Sequence, residues 1–334
     1  MNSNVDRGLE SRRGFLGVIG GVSAMTGIAL LSSCKDDVVG AENVPAPTAT
    51  STTAVSVPPT YTATDTDRLN FALQLHYLVA SFLQVGLNGS ALAANLTTGS
   101  GTLGQVSGGR RVTFSDQKLL AILREVTNTT TARVAFLRKT LGNAVTAQPA
   151  ISIAGGQNSA FQAFSVPTST TAPTSFYDPY ASENDFLLAA VGLSAVLTSA
   201  MDELAWNMAT STRTYFGPLT AGIAATDSAL RNVLFTRASV ETTPANGQPT
   251  LFTRASRMAS ARNPFDGPGN RDQDIGSRGT SPNIGITDGA NWVAIRRSPE
   301  QALGILYTSV LSVSSGGFFP AGINGIIKYS GANS

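Results

Sequence analysis

The chain has 334 residues, of which only 13% are charged, and its formal net charge is +2. A charged fraction near half the usual share leaves no basic surface for nucleic acid and no run of Lys and Arg to hold an anionic membrane. We therefore expect no nucleic-acid partner, and we expect any membrane attachment to be made by lipid.

The first forty residues have the features of a targeting segment. Arg12 and Arg13 form a twin-arginine pattern, and the apolar run over residues 18–31 is shorter than the roughly 20 residues that span a bilayer as a helix. Residues 31–34, Leu-Ser-Ser-Cys, resemble a bacterial lipobox, in which the cysteine receives the lipid. This order predicts a signal peptide over residues 1–33 and a lipid anchor at Cys34 in the outer membrane of the cell envelope. An N-terminal membrane anchor with an incidental cysteine is the alternative.

The residues that follow Cys34 are charged and then low in complexity. Lys35, Asp36 and Asp37 resemble the surface-export signal of lipoproteins in some Gram-negative bacteria, although a solvated charged stretch has the same composition. Residues 38–64 are mostly Ala, Thr, Ser, Val and Pro, which cannot bury a core. Residues 34–64 are therefore predicted to form a semi-extended tether.

Apolar residues at helical spacing predict an all-α fold whose bundle covers residues 65–240. Its four helices are expected near residues 69–83, 115–142, 186–201 and 219–235. Thr66 or Asp67 is the expected cap of the first helix, and Ser115 is that of the second, which ends at Gly142. The connection over residues 143–182 is too long for a simple turn and suits a crossover between the second and third helices.

Residues 241–334 are predicted to form a loop-rich extension with one helix that packs on the bundle. A capping box with proline, Ser298 to Gln301, begins this fifth helix, which is expected to extend through Val310. The apolar, turn-rich residues 316–325 are expected to pack back on the bundle. Residues 266–274 have oxygen ligands at a spacing like that of a calcium loop but lack its closing Glu, which favours a solvated turn.

Two further motifs are interpreted as structural. Residues 99–104 match the Gly-x-Gly-x-x-Gly fingerprint only formally, because they follow a helix and not a strand. Trp206 and Trp292 are expected to be packing anchors and not platforms for a substrate.

Four segments carry a resemblance to a known family: LNFALQLHYL in the first helix, ILREV and ARVAFLRKTLG in the second, VGLSAV in the third, and GGFFPAGING near the C-terminus. Together they resemble the bacterial ferritin-like domain proteins related to plant desiccation-related proteins, over about residues 65–325. The resemblance implies a ferritin-like four-helix bundle with a long crossover and a stress-related role.

The same resemblance implies that the metal site of the family is vacated. Dinuclear ferritin-like sites use a Glu from each of two helices and a Glu-x-x-His from each of the other two. In this chain those positions fall, in order, on His76, Thr130, Arg133, Ala189, Asp227 and Leu230. Only His76 and Asp227 could bind a metal. We expect a hydroxyl such as that of Thr130 to satisfy His76, and Asp227 to pair with Arg133 across the bundle.

These features predict a lipid-anchored envelope protein whose bundle is a structural or interaction module with an unidentified protein partner, no cofactor and no catalytic residue. The alternative is a ferritin-like oxidoreductase or metal-binding protein in which a relocated site holds iron or manganese.

Overall fold

The computed structural model describes residues 61–166, 176–244, 247–269, 271–279, 282–288 and 291–332. The sequence features at Arg12, Arg13, Cys34 and residues 35–37 lie outside these ranges. All the described residues belong to one compact unit, and most of them are helical, which confirms the all-α prediction.

In the described residues, four long α-helices form the bundle and three shorter α-helices lie around it. In chain order the helices are α1 (Asp65–Asn88), α2 (Gln117–Leu141), α3 (Ala160–Ser165), α4 (Glu183–Asn207), α5 (Thr210–Val240), α6 (Leu251–Arg262) and α7 (Pro299–Tyr307). In the bundle α1 packs closely on α2, α4 packs closely on α5, and α1 contacts α4. The short helix α3 lies in the long connection between α2 and α4 and packs on α6.

The helix α4 is apolar on all sides, which is typical of a helix surrounded by other elements. By length and composition alone this helix could cross a membrane, but 89% of its apolar window is buried inside the protein. The helix therefore serves as a core element of the bundle.

The two N-terminal caps differ from the prediction by one or two residues. The α1 cap is Thr64, whose hydroxyl accepts from the Asp67 backbone while the Asp67 carboxylate accepts from the Thr64 backbone. This reciprocal box excludes Thr66 and Asp67 themselves as the cap. The α2 cap is Asp116 and not Ser115, because the Asp116 carboxylate accepts from two backbone amides of the first turn.

Other helix boundaries agree with their sequence signals. Gly142 is the C-cap of α2, and Ser298 with Gln301 forms the predicted capping box of α7. The helix α7 ends earlier than expected, because Thr308 adopts a left-handed conformation with φ 52° after Tyr307.

The structure has more helix than the sequence predicted, and the short helix α3 lies in the connection over residues 143–182, where no helix was predicted. The helix α5 begins at Thr210, well before residue 219, and includes Pro218. The helix α6 was missed, so the described part of the extension contains two α-helices and not one. Its buried residues nevertheless follow a helical stripe after the Thr250 cap: Leu251, Phe252, Ala255, Met258 and Ala259.

The glycine-rich residues 99–104 form part of the packing of the fold. They precede strand β1 (Val106–Ser107), which pairs in parallel with strand β2 (Ile151–Ser152). A Cβ on Gly104 would lie 2.0 Å from the Ala150 backbone nitrogen. The absence of a side chain therefore lets the two backbones approach closely.

The GGFFPAGING segment packs back on the bundle as predicted. Phe318 and Phe319 are fully buried, and Phe318 makes edge contacts with Phe161 and Phe164 of α3. Gly317 has a φ of 45°, and a Cβ there would lie 2.4 Å from the Leu306 carbonyl oxygen. The turn therefore requires glycine.

Candidate functional site

The centre of the bundle is nearly filled by side chains from α1, α2, α4 and α5. The remaining cavity has a volume of about 10 Å³, so it holds one water molecule at most. Most of its wall is aliphatic: Val79, Leu83, Val126, Leu197, Ile223 and Leu230. Polar groups reach it from Thr130, Arg133, Ser194 and Thr226.

Arg133 joins α2 to α5, and no carboxylate of the described residues pairs with it. Its Nη2 donates hydrogen bonds of 2.8 Å to the Gly222 carbonyl and to the Thr226 hydroxyl. The predicted ion pair with Asp227 is wrong. Residues 222 and 226 lie four apart on the face of α5 that meets α2, whereas residue 227 is rotated about 100° from 226 on a helix.

His76 is a fully buried, neutral imidazole. Its Nδ1–H donates to the Ala72 carbonyl at 2.7 Å, and Nε2 has no hydrogen-bond partner among the residues that the structure describes. Burial lowers the pKa of His76 to about 4, and the nearby charge of Arg133 acts in the same direction. The expected bond to Thr130 is wrong, because the Thr130 hydroxyl donates to the Val126 carbonyl within α2.

Asp227 lies on the side of α5 that faces α4 and α6. Its side chain is buried, and within the described ranges its Oδ1 has no hydrogen-bond partner. Burial raises the pKa of Asp227 to about 6, and the negative charge of Asp272 also acts to raise it. The positive charge of Arg231, a hydrogen bond from Ser194 and the positive charge of Arg262 act to lower it.

The comparisons with known proteins agree with this arrangement of helices. A family model described as Ferritin-like domain matches residues 64–234, about half of the chain. The chain belongs to the ferritin-like domain family. No curated protein and no solved structure matches it.

At the positions that the family resemblance assigns to metal ligands, the described residues do not supply the ligand set of a dinuclear carboxylate site. Thr130, Arg133 and Leu230 converge on the central cavity, Ala189 is buried in α4, and Asp227 faces away. The side chains of Ala189 and Leu230 have no atom that can bind a metal, and the guanidinium of Arg133 repels a metal cation. Within the described ranges no three His, Cys, Asp or Glu side chains form a group that could hold a metal ion.

A second polar cluster, which the sequence analysis missed, lies between the ferritin-like bundle and the C-terminal extension. We call it the buried ion cluster. It contains three arginines and three aspartates: Arg231, Arg262, Arg297, Asp227, Asp266 and Asp272. All six side chains are nearly or completely buried.

Two arginines of the buried ion cluster make direct ion pairs. Arg262 binds both oxygens of Asp272, with Nε–Oδ2 at 2.5 Å and Nη2–Oδ1 at 2.9 Å. Arg297 binds Oδ2 of Asp266 through Nε and Nη2, and it donates to the Ser199 hydroxyl at 2.9 Å. Burial acts to raise the pKa of Asp272, but the positive charges of Arg262 and Arg297 hold this pKa below its usual value.

The third arginine joins α5 to the loop of the extension. Arg231 donates from Nε to the Asn283 carbonyl at 2.9 Å and from Nη2 to the Asp274 carbonyl. The interpretation of residues 266–274 as a solvated turn is wrong, because two aspartates of this segment, Asp266 and Asp272, are buried counter-ions. The sequence did contain a signal for this cluster, because Asp227 and Arg231 are charged residues four positions apart on an otherwise apolar face of α5.

The two tryptophans are not packing anchors. Trp206 is 62% exposed and Trp292 is 77% exposed, so that prediction is wrong. The guanidinium of Arg296 lies 4.4 Å from the centre of the Trp206 ring and also pairs with Asp202, which covers one face of the indole.

Proposed function

We propose that the protein is a lipid-anchored envelope protein whose ferritin-like bundle acts as a structural or interaction module without a dinuclear metal site. The observation that carries the proposal is Arg133, a cation fixed by two hydrogen bonds at a position where the family places a metal ligand. A positive charge held there opposes metal binding by Coulomb repulsion. The proposed protein partner is unidentified.

The cellular location of the protein is proposed from its N-terminal residues. The twin-arginine pair, the apolar run and Cys34 occur in the order expected for an exported bacterial lipoprotein. A diacylated and N-acylated cysteine has enough methylene groups, at about 0.8 kcal/mol for each one buried, for stable anchoring. We place the protein at the outer membrane, and Lys35, Asp36 and Asp37 support exposure at the cell surface.

The physiological role is proposed from family resemblance alone. The motifs in α1, α2, α4 and the GGFFPAGING segment resemble ferritin-like proteins related to plant desiccation-related proteins. A bundle that stabilises other envelope components during water stress is consistent with a low surface charge and an anchored location.

Metal analysis of the natively exported protein tests the proposal. The protein is purified without chelators, exchanged into metal-free buffer, and measured by mass spectrometry of the elements. We expect iron and manganese well below one equivalent per chain. Near-stoichiometric iron or manganese would overturn the proposal in favour of an oxidoreductase or metal-binding protein with a relocated site. A matched His76→Leu, Asp227→Asn variant then shows whether the two remaining family positions hold that metal.

A further inference from the structure

An open trough runs along the surface between α2 and α5. These two helices pack less closely than α1 with α2 or α4 with α5. The trough has a volume of about 510 Å³, and its lining is mainly small or apolar: Ala121, Ile122, Val126, Thr129, Ala225, Thr226 and Ala229. A volume of that size lies within the range of small-molecule sites.

The trough has the length of a short aliphatic chain. Residues 121 and 129 mark its extent along α2, and eight residues of helix rise about 12 Å. Ala121, Ala225 and Ala229 are exposed and small, so no side chain of either helix fills the space between them. The floor is apolar because Val126 is buried there.

Thr226, at one side of the trough, is hydrogen-bonded to Arg133, a cation that pairs with no carboxylate in the described part of the chain. Arg133 lies within 2.8 Å of the Thr226 hydroxyl, and Thr226 lines both the central cavity and the trough. Only Nη2 of the guanidinium is hydrogen-bonded, and in the described part of the chain no carboxylate pairs with Arg133. Its Nε and Nη1 donors are therefore available to an anion. Arg133 is partly buried, and this burial lowers the pKa of its guanidinium.

We propose that the trough binds an aliphatic carboxylate, with its chain along α2 and α5 and its carboxylate at Arg133. Both Nη2 hydrogens of Arg133 are already used, so a carboxylate would accept a single charge-assisted hydrogen bond from Nε–H or from Nη1–H. Glu125 also lines the trough and is exposed, so it opposes an anion near the middle and favours a head group at the Arg133 end. The proposal is independent of the lipid anchor and of the proposed structural role.

A series of ten-carbon ligands tests the head group without any mutation. The protein is produced from Lys35 onward, which includes every described residue and avoids detergent. Decanoate, decanol and decyltrimethylammonium are titrated by calorimetry below their micelle concentrations. We expect decanoate to bind roughly tenfold more tightly than decanol, because hydrogen bonds to charged groups are stronger, and the cation to bind most weakly. Equal affinities, or no binding of decanoate, would overturn the proposal.

Two variants and a control test the position of the ligand. Ala225→Phe fills the trough from an exposed position and should abolish binding of both decanoate and decanol. Thr236→Phe places the same aromatic ring about three turns further along α5, outside the trough, and should bind like the wild type. The Arg133→Gln variant should bind decanoate and decanol with about the same affinity, because it has lost the charged head-group contact. Binding that survives Ala225→Phe unchanged would refute the site, and this variant changes only an exposed residue.

Discussion

Two fully buried groups, His76 and Asp227, should give the stability of the protein opposite dependences on pH. Burial lowers the pKa of His76 from 6.5 to about 4 and raises the pKa of Asp227 from 3.8 to about 6. One pKa unit corresponds to about 1.4 kcal/mol, so each group changes the free energy of unfolding by roughly 3 kcal/mol across its window.

The signs follow from which state binds the proton more tightly. The folded state resists protonation of His76, so its stability falls as the pH decreases from 6.5 to about 4. The folded state prefers protonated Asp227, so its stability rises as the pH decreases from about 6 to 3.8. In the wild type the two contributions nearly cancel between pH 6 and pH 4.

Replacing one group should reveal the other. The Asp227→Asn variant retains His76, so relative to the wild type it should lose roughly 3 kcal/mol between pH 6 and pH 4. The His76→Leu variant should gain a similar amount over that range, apart from a constant offset due to the change in packing. Urea unfolding at several pH values measures each difference, and the double variant is the control, because its offset should not vary with pH. A difference for Asp227→Asn that is independent of pH would refute the reasoning.

Four other changes have defined outcomes. Cys34→Ala should move the protein from the membrane to the soluble fraction, because the apolar surface of α4 is buried; a fully membrane-bound variant would contradict the lipobox. Alanine at residues 35–37 should leave anchoring intact but reduce antibody labelling of intact cells, and unchanged labelling would exclude the surface-export signal. Arg133→Leu and Asp227→Leu should destabilise additively in thermal melts, since the two side chains do not pair; rescue in the double variant would show that they do. Arg297→Met leaves its carboxylate partner buried and unpaired, at an expected cost of about 3–5 kcal/mol in urea unfolding, and a loss below 1 kcal/mol would show that water reaches the pair.

The sequence predicted the parts of the fold that depend on local signals. The capping box at Ser298 and the C-cap at Gly142 were identified because each uses residues only a few positions apart. The start of α5 was missed because Gly217 and Pro218 interrupt the helical pattern, whereas tertiary packing carries the helix through them. The helix α6 was missed because its arginines obscured an apolar stripe.

The candidate site was less predictable because it depends on rotation about helix axes. The motif positions placed Arg133 opposite Asp227. On α5, however, residue 226 lies on the face that meets α2, whereas the next residue, 227, lies on the face that meets α6. The buried ion cluster joins residues far apart in sequence, such as Arg297 and Ser199, which are 98 positions apart. No local pattern identifies such a pairing.

The buried ion cluster also determines when folding can be completed during synthesis. Ribosomes produce the N-terminal region first, so α4 and α5 leave the ribosome before the loop that carries Asp266, Asp272 and Arg297. Until that loop arrives, Asp227 and Arg231 remain on a helix face that has no covering layer. The native packing of this face is therefore reached only after nearly the whole chain has been made.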